Sequence, residues 1–301
     1  MATVRYIVRN VAEATDFYAG KLGFELVQSY GPAMAIVSHG DLTLWLAVQG
    51  DASGTPLLLV QGLGYTADMW FRILPGLSAR RRTLRFDNRG VGRSTVPPPP
   101  WSIADMAADA VAVLDAAGVE RADVFGVSMG GLIAQELALG YPERVDRLVL
   151  GCTHPGGRDA VRMDPAAATM LMDRTPRTAR EAAEASVPFL YAEDTSPDDI
   201  ATDLDIRVRY PMRASAYWGQ LDAMRQHGGT LARLPQLQAK TLVLHGTADR
   251  LVQPGNAELL AGAIPGARLT WIESAGHLFW TDRPELTVRL VTEFLDRGED
   301  R

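Results

Sequence analysis

The chain is predicted to be an α/β protein, on three observations. A short apolar run reaching Val127 enters Gly126-Val127-Ser128-Met129-Gly130 and continues into the helical stretch LIAQELALGYPERV. Continuous apolar runs bounded by glycine, such as TLVLHG (241–246), have the character of buried parallel strands. Downstream of the serine, an acid and a histidine stand in loops that follow successive strands, in the order Ser, Asp, His.

In chain order, TVRYIV reads as a strand, NVAEATDFYAGKLG as a helix ending at Gly23, and FELVQSY as a second strand. AMAIVSHG and DLTLWLAV read as a hairpin turning near Gly40. The strand Leu57 to Gln61 runs into Gly62-Leu63-Gly64, and RTLRF runs into the glycine-rich loop DNRGVGRS (87–94). That loop lacks the G-x-x-x-x-G-K-[ST] pattern of a phosphate cradle and reads as backbone packed close around the serine turn. Between Gly151 and Thr241 lies a long stretch without strand pattern. Four helices are expected there, DPAAATMLMDR, TAREAAEASVPFLY, PDDIATDLDIRVRY and RASAYWGQLDAMRQ, punctuated by Pro165, Pro176, Pro188, Pro197 and Pro211. ARLTWI (267–272) is the last strand, and PELTVRLVTEFLDR closes the chain as a helix.

Ser128 occupies a strand-to-helix turn too sharp for side chains two positions before and after it, which is where Gly126 and Gly130 stand. Such a turn holds Oγ at the carboxyl edge of a sheet. The backbone N–H of Met129, at the helix start, faces the place where negative charge develops in acyl transfer. The Leu63 N–H, after the strand 57–61, is the expected second donor. Asp249 in GTADRLVQP and His277 in ESAGHLFW complete the set, with Asp249 fixing the tautomer of His277 and His277 taking the proton of Ser128.

Each residue also has an ordinary reading. Asp249 alone reads as a cap for a helix beginning near Pro254, and His277 as a loop histidine bonded to backbone. His39, His227 and His245 fit structural roles, whereas His154, after the strand LVLGC, is a rival base on the same edge. The joint occurrence of serine, acid and histidine favours the catalytic reading.

The 301 residues are 47% hydrophobic and 22% charged, enough for a large two-faced core. A net charge of −6 without a basic run argues against nucleic acid as a partner. No window is apolar enough to span a bilayer, and the amino terminus lacks a signal-peptide pattern. One cysteine, Cys152, cannot form an internal disulfide; it reads as a small buried side chain, and the expected compartment is cytoplasmic. All but two of the 30 basic residues are arginine.

QGLGYTADMW, DNRGVGRS, GVSMGG, HGTADRLVQP and SAGHLFW together resemble the signature blocks of the α/β-hydrolase family, over roughly residues 34–297. The resemblance implies a mostly parallel, eight-stranded sheet with helices on both faces, and a helical cap at 155–235 between core segments 34–154 and 236–301. It implies Ser128 as nucleophile, Asp249 as acid, His277 as base, and Leu63 and Met129 as the oxyanion hole. Many relatives have His-Gly where this chain has Gln61-Gly62; a backbone donor survives that change, while loop rigidity and substrate preference need not. Met170, Met172, Phe189, Tyr191, Tyr217 and Trp218 give the cap an apolar underside, although each also serves as ordinary packing. Tyr65, Trp218, Leu278 and Phe279 are the pocket candidates, pointing to a small apolar or aromatic substrate.

Residues 1–33, with the following hairpin, form a βαβββ pattern that resembles one module of the glyoxalase/bleomycin-resistance (vicinal oxygen chelate) family, through RYIV, DFYAGKLGF and HGDLTLWLA. That family pairs two modules and commonly places a metal-binding histidine on the first strand, where this chain has Arg5 and Tyr6. No metal and no cofactor are therefore expected. The segment is read as packing on the sheet edge, with a homodimer surface as the alternative. The leading functional expectation is hydrolysis of an ester, thioester or lactone through an acyl-enzyme on Ser128. Cofactor-free perhydrolysis at the same triad and non-catalytic ligand binding are the alternatives.

Overall fold

The computed structural model describes residues 4–6, 25–29, 35–38, 42–50, 54–173, 175 and 177–296. Ten strands form one sheet: β1 (Val4–Tyr6), β2 (Glu25–Ser29), β3 (Ala35–Ser38), β4 (Leu44–Gln49), β5 (Leu57–Val60), β6 (Thr83–Asp87), β7 (Ala122–Val127), β8 (Val145–Gly151), β9 (Lys240–Gly246) and β10 (Arg268–Ile272). Their spatial order is β10-β9-β8-β7-β5-β6-β4-β1-β3-β2. From β10 to β6 every pairing is parallel, and β4 joins β6 antiparallel, Leu46 opposite Phe86.

Helices α1 (Leu74–Ser78), α2 (Ile103–Ala116) and α3 (Met129–Gly140) connect the early strands. Helices α4 (Pro165–Met172), α5 (Ala179–Leu190), α6 (Pro197–Val208) and α7 (Ala214–Gln226) form an insertion between β8 and β9. Helices α8 (Gly255–Ala263), α9 (Phe279–Asp282) and α10 (Pro284–Asp296) complete the core.

Side chains on successive strand residues go to opposite faces. Leu58, Val60, Val124, Leu148 and Val243 pack with α2, α3 and α8, whereas Leu57, Leu59, Phe125, Val149 and Leu242 pack with α1 and α10. Burial of both faces explains why these strands read as unbroken apolar runs. Each fully buried leucine contributes about 1.5–3 kcal/mol. Local signals set the helix starts: Ser102 and Asp105 form a capping box on α2, Thr178 and Glu181 another on α5, and Pro165 and Pro197 begin α4 and α6.

Three expectations are corrected. Seven strands, β4 to β10, make the mostly parallel hydrolase sheet and not eight, because β3, expected beside β4, is separated from it by β1. The run AMAIVSHG does not pair with DLTLWLAV. β1 lies between them, parallel to β4 and antiparallel to β3, while β2 and β3 form the hairpin. Local alternation cannot reveal that a strand from the start of the chain intervenes. Pro188 lies inside α5, in its last turn, where the missing donor costs a single helical hydrogen bond. The helix expected between β1 and β2, and the Gly40 turn, lie outside the described residues.

Candidate active site

The site is built where β7 ends. Ser128 has φ +55° and ψ −123°, a strained conformation for a non-glycine residue. Its N–H donates to the Gly151 carbonyl (3.0 Å), and its carbonyl accepts from the Gly131 N–H (2.9 Å) and Thr153 Oγ1 (2.6 Å). The flanking glycines are steric requirements. A Cβ on Gly126 would stand 2.3 Å from the Gly130 carbonyl oxygen, and one on Gly130 would stand 2.2 Å from that of Val60. From Ala122 to Gln135 every residue is buried except Ser128.

Two strands further along the sheet, the loop after β9 places Asp249 against His277 from the loop after β10. His277 Nδ1 bonds Asp249 Oδ2 at 2.8 Å. Asp249 Oδ1 accepts from the Leu251 and Val252 N–H groups, both at 2.9 Å, so Asp249 organises its own loop and does not cap α8, whose cap position is Pro254. Burial would raise the Asp249 carboxyl, but the charge of His277 and hydrogen bonds from His245 and His277 outweigh it and hold it at about 2. The two loops need close approach: a Cβ on Gly246 would lie 2.3 Å from the Ala275 carbonyl oxygen. Among the described residues no direct hydrogen bond joins Ser128 Oγ to His277. The serine and the acid–histidine pair stand at the carboxyl ends of β7, β9 and β10 on one sheet edge.

The loop after β5 closes over the serine. A Cβ on Gly62 would lie 3.5 Å from Ser128 Oγ, so the loop and the hydroxyl are neighbours. Among the described residues, the N–H groups of Leu63 and Met129 donate to no protein acceptor, unlike Gly62, Gly64 and Tyr65 beside them. Gln61 is buried and its side-chain oxygen accepts from its neighbour's N–H (Gly62, 3.2 Å).

Several residues in this arrangement were not foreseen. Gln220 on α7, fully buried, accepts from the Gly64 N–H (3.0 Å) and donates to the Arg89 carbonyl (2.9 Å), tying the insertion to the loop after β5. Asn88 donates to the Gln61 carbonyl (2.9 Å), and Asp87 accepts from the Ala67 N–H (2.7 Å) and from Arg93, giving DNRGVGRS a role in bracing that loop. His245 Nε2 lies 3.2 Å from Asp249 Oδ2 and 2.8 Å from the Val252 carbonyl oxygen, so the acid is flanked by two imidazoles. Asp282 accepts from the Gly276 and Ala192 N–H groups (2.7 and 3.2 Å), pinning the His277 loop to the end of α5.

The pocket candidates divide. Tyr65 packs with Trp70, Tyr191 and Leu278 beneath the insertion, and its hydroxyl is buried without a partner. Leu278 and Phe279 are buried in the same cluster, Phe279 edge-on to Trp280 at 5.3 Å. Trp218 instead lines a cavity of about 360 Å³ with Pro99, Pro100 and Trp101 that includes neither Ser128 nor His277. A larger one, about 570 Å³, is lined by His154, Arg158, Val161 and Leu251, and its lining likewise includes neither of them.

Among the described residues the rival His154 has no carboxylate partner. Its Nδ1 accepts from the Gly156 N–H (3.0 Å), and burial pushes it down to about 4. His227 bonds Glu136 (2.7 Å) between the insertion and α3, as a structural histidine would. Burial drives the Cys152 thiol well above its usual range, and the residue packs as a small apolar side chain. His39 lies outside the described residues.

The chain matches the alpha/beta hydrolase fold family over residues 55–284, and it belongs to that family. It is 32% identical over 251 residues, 82% of this chain and 86% of the relative, to a poly(3-hydroxyalkanoate) depolymerase of Ectopseudomonas oleovorans. Among solved structures it resembles the enol-lactonase from Burkholderia xenovorans LB400 (TM-score 0.73, 26% identity, 84% of this chain and 96% of that one). It also resembles a thermophilic esterase from Thermogutta terrifontis (TM-score 0.73, 26% identity, 90% and 97%). The protein is an α/β-fold hydrolase. No helix among the described residues is long and apolar enough to cross a membrane.

Proposed function

We propose that this hydrolase cleaves a carboxylic ester, thioester or lactone of a small, largely apolar or aromatic substrate through an acyl-enzyme on Ser128. The single observation that carries the reading is the Asp249–His277 bond at 2.8 Å, on the sheet edge where the strained elbow exposes Ser128. With Nδ1–H donated to Asp249, neutral His277 keeps Nε2 free to accept the serine proton. The hydroxyl–imidazole bond forms as substrate seats, since such contacts are often loose without ligand.

Ser128 Oγ then attacks the carbonyl carbon, its proton passes to His277, and the carbonyl electrons collect on an oxygen held by the Leu63 and Met129 N–H groups. Collapse expels the alcohol, thiol or lactone oxygen, protonated by His277. Water activated by the same ring releases the acid and restores Ser128. Helices α4 to α7 act as the cap over this chemistry. The relatives named depolymerase, lactonase and esterase favour carbonyl–oxygen substrates.

A fluorophosphonate probe followed by peptide mapping tests the proposal. Labelling at Ser128 that disappears in Asp249→Asn or His277→Gln is expected. An unlabelled Ser128 with intact fold, or p-nitrophenyl ester cleavage undiminished in Ser128→Ala, overturns it.

A further inference from the structure

Arg207 is a cation that the chemistry above does not use. It projects from α6, partly buried, and its hydrogen-bond partners are uncharged: the Ala183 carbonyl (3.3 Å), Ser186 Oγ (2.9 Å) and the Tyr191 hydroxyl. Its guanidinium carbon lies 4.9 Å from the centre of the Tyr65 ring. Arginines braced around the same loops hold carboxylates: Arg72 takes Asp199 and Asp203, Arg89 takes Asp109, and Arg93 takes Asp87. Among the described residues no carboxylate lies within ion-pair distance of Arg207. A cation withdrawn from water without an anion is costly, and a ligand supplying one offsets that cost.

Tyr65 provides the link to the reaction centre. It follows Gly62-Leu63-Gly64, the loop that touches Ser128, and its N–H closes that turn on the Gly62 carbonyl (3.3 Å). Its hydroxyl is buried and bonded to nothing in the protein. The titratable groups around it are Arg207 and Asp203 from α6 and the thiol of Cys152 beside the elbow. Burial pushes the phenol above its usual range, so it remains a proton donor. Asp203 does not satisfy Arg207. Its carboxylate is engaged by Thr281 Oγ1 (2.7 Å), Arg72 Nε (3.2 Å) and the Tyr191 hydroxyl (3.4 Å).

We propose that Arg207 and the Tyr65 hydroxyl form a subsite for a carboxylate, so that the ester or lactone opened at Ser128 carries a second, ionised acid group. The proposal rests on the serine-hydrolase reading and narrows its substrate class. Tyr65 packs on the apolar cluster that holds Trp70, Leu190, Leu278 and Trp280, with the Arg207 guanidinium over its ring.

The test compares kcat/KM within two matched pairs of esters. On the acyl side these are p-nitrophenyl hexanoate and mono-p-nitrophenyl adipate. On the alcohol side they are propyl hexanoate and 2-carboxyethyl hexanoate, followed by pH-stat. At least one anionic ester is expected to exceed its neutral partner about tenfold or more, the scale of a charge-assisted contact. Arg207→Met collapses that ratio to near unity, Arg207→Lys retains part of it, and Tyr65→Phe lowers it without abolishing it.

No anionic preference in either pair, or a preference that survives Arg207→Met, overturns the subsite. Should the Arg207 variants fail to fold, the wild-type ratios and Tyr65→Phe decide. Turnover of the neutral esters with Ser128 labelled, but without anionic preference, sinks the subsite alone. No turnover of any ester and no label at Ser128 sinks the hydrolase chemistry with it.

Discussion

Ser128 is held against its own preference. A positive φ on a serine costs on the order of 1–3 kcal/mol, and hydrogen bonds to its backbone, from Gly131, Leu132 and Thr153 and to Gly151, keep it there. Ser128→Ala is therefore expected to leave thermal stability within about 0.5 kcal/mol while removing ester turnover by a factor of about 10⁴ or more. Asp249→Asn keeps the shape but leaves His277 in the wrong tautomer, and a loss of about 10⁴ in kcat is expected with KM little changed.

The acid–histidine pair also shapes the response to pH. Asp249 titrates near 2 in the folded chain and near 3.8 when unfolded, so its stabilising contribution is complete above about pH 4 and is lost as pH falls through 2. His154 acts at milder acidity. It takes up its proton near 4 when folded but at 6.5 when unfolded. Between those values the unfolded chain holds more protons, so stability declines as pH falls from 6.5 towards 4. Melting temperatures measured from pH 7 to 4 are expected to fall less steeply in His154→Asn than in the parent. Parallel curves would assign the acid limb to other groups.

At the scale of elements, the loop after β5 depends on contacts from three places: Asn88 after β6, Gly130 at the head of α3, and Gln220 on α7. Gln220→Leu removes the acceptor for the Gly64 N–H and frees the loop that presents Leu63. Because an oxyanion donor acts in the transition state, kcat is expected to fall by about tenfold with KM nearly constant. Equal losses in both substrate binding and turnover would show that Gln220 merely packs. Gly130→Ala tests the α3 contact. A methyl group 2.2 Å from the Val60 carbonyl oxygen forces β5 and the elbow apart, and a loss of about 3 kcal/mol or more is expected by denaturant unfolding. His245 was legible only as a strand-end residue. Its place beside Asp249 follows from the turn Gly246 to Asp249, whose N–H returns to the Gly246 carbonyl (3.2 Å).

For the whole molecule, the sheet continues beyond β4. β1 pairs parallel with β4, and β3 and β2 continue outward, so the edge of the hydrolase core is covered. A chain begun at Asp41 would leave β4 with unpaired backbone along a strand carrying Leu44, Trp45 and Leu46. It is expected to keep fluorophosphonate labelling at Ser128 but to melt lower and to self-associate, as read by size-exclusion chromatography with light scattering. An unchanged melting temperature and mass would show that the added strands contribute nothing to stability.

The core strands, the four insertion helices and the serine, acid and histidine were legible because each is written locally. Apolar runs, capping residues, and glycines where two backbones nearly touch all act within a few positions. The order of the amino-terminal strands was not legible, because alternation along a strand gives its faces and not its neighbours. Nor was the cavity that Trp218 lines with Pro99, Pro100 and Trp101, since helix phase alone does not say which side of an insertion meets the core.

By itself the sequence singled out Ser128, Asp249 and His277 and set each just after a strand, which places them on one sheet edge. Tertiary structure alone decided what steadies and surrounds them. Gln220 reaches Gly64 across 156 positions, and Arg207 meets Tyr65 across a comparable span. Contacts of that range leave no trace in local residue patterning, because they arise only when two separately folded segments are pressed together by the burial of their apolar faces.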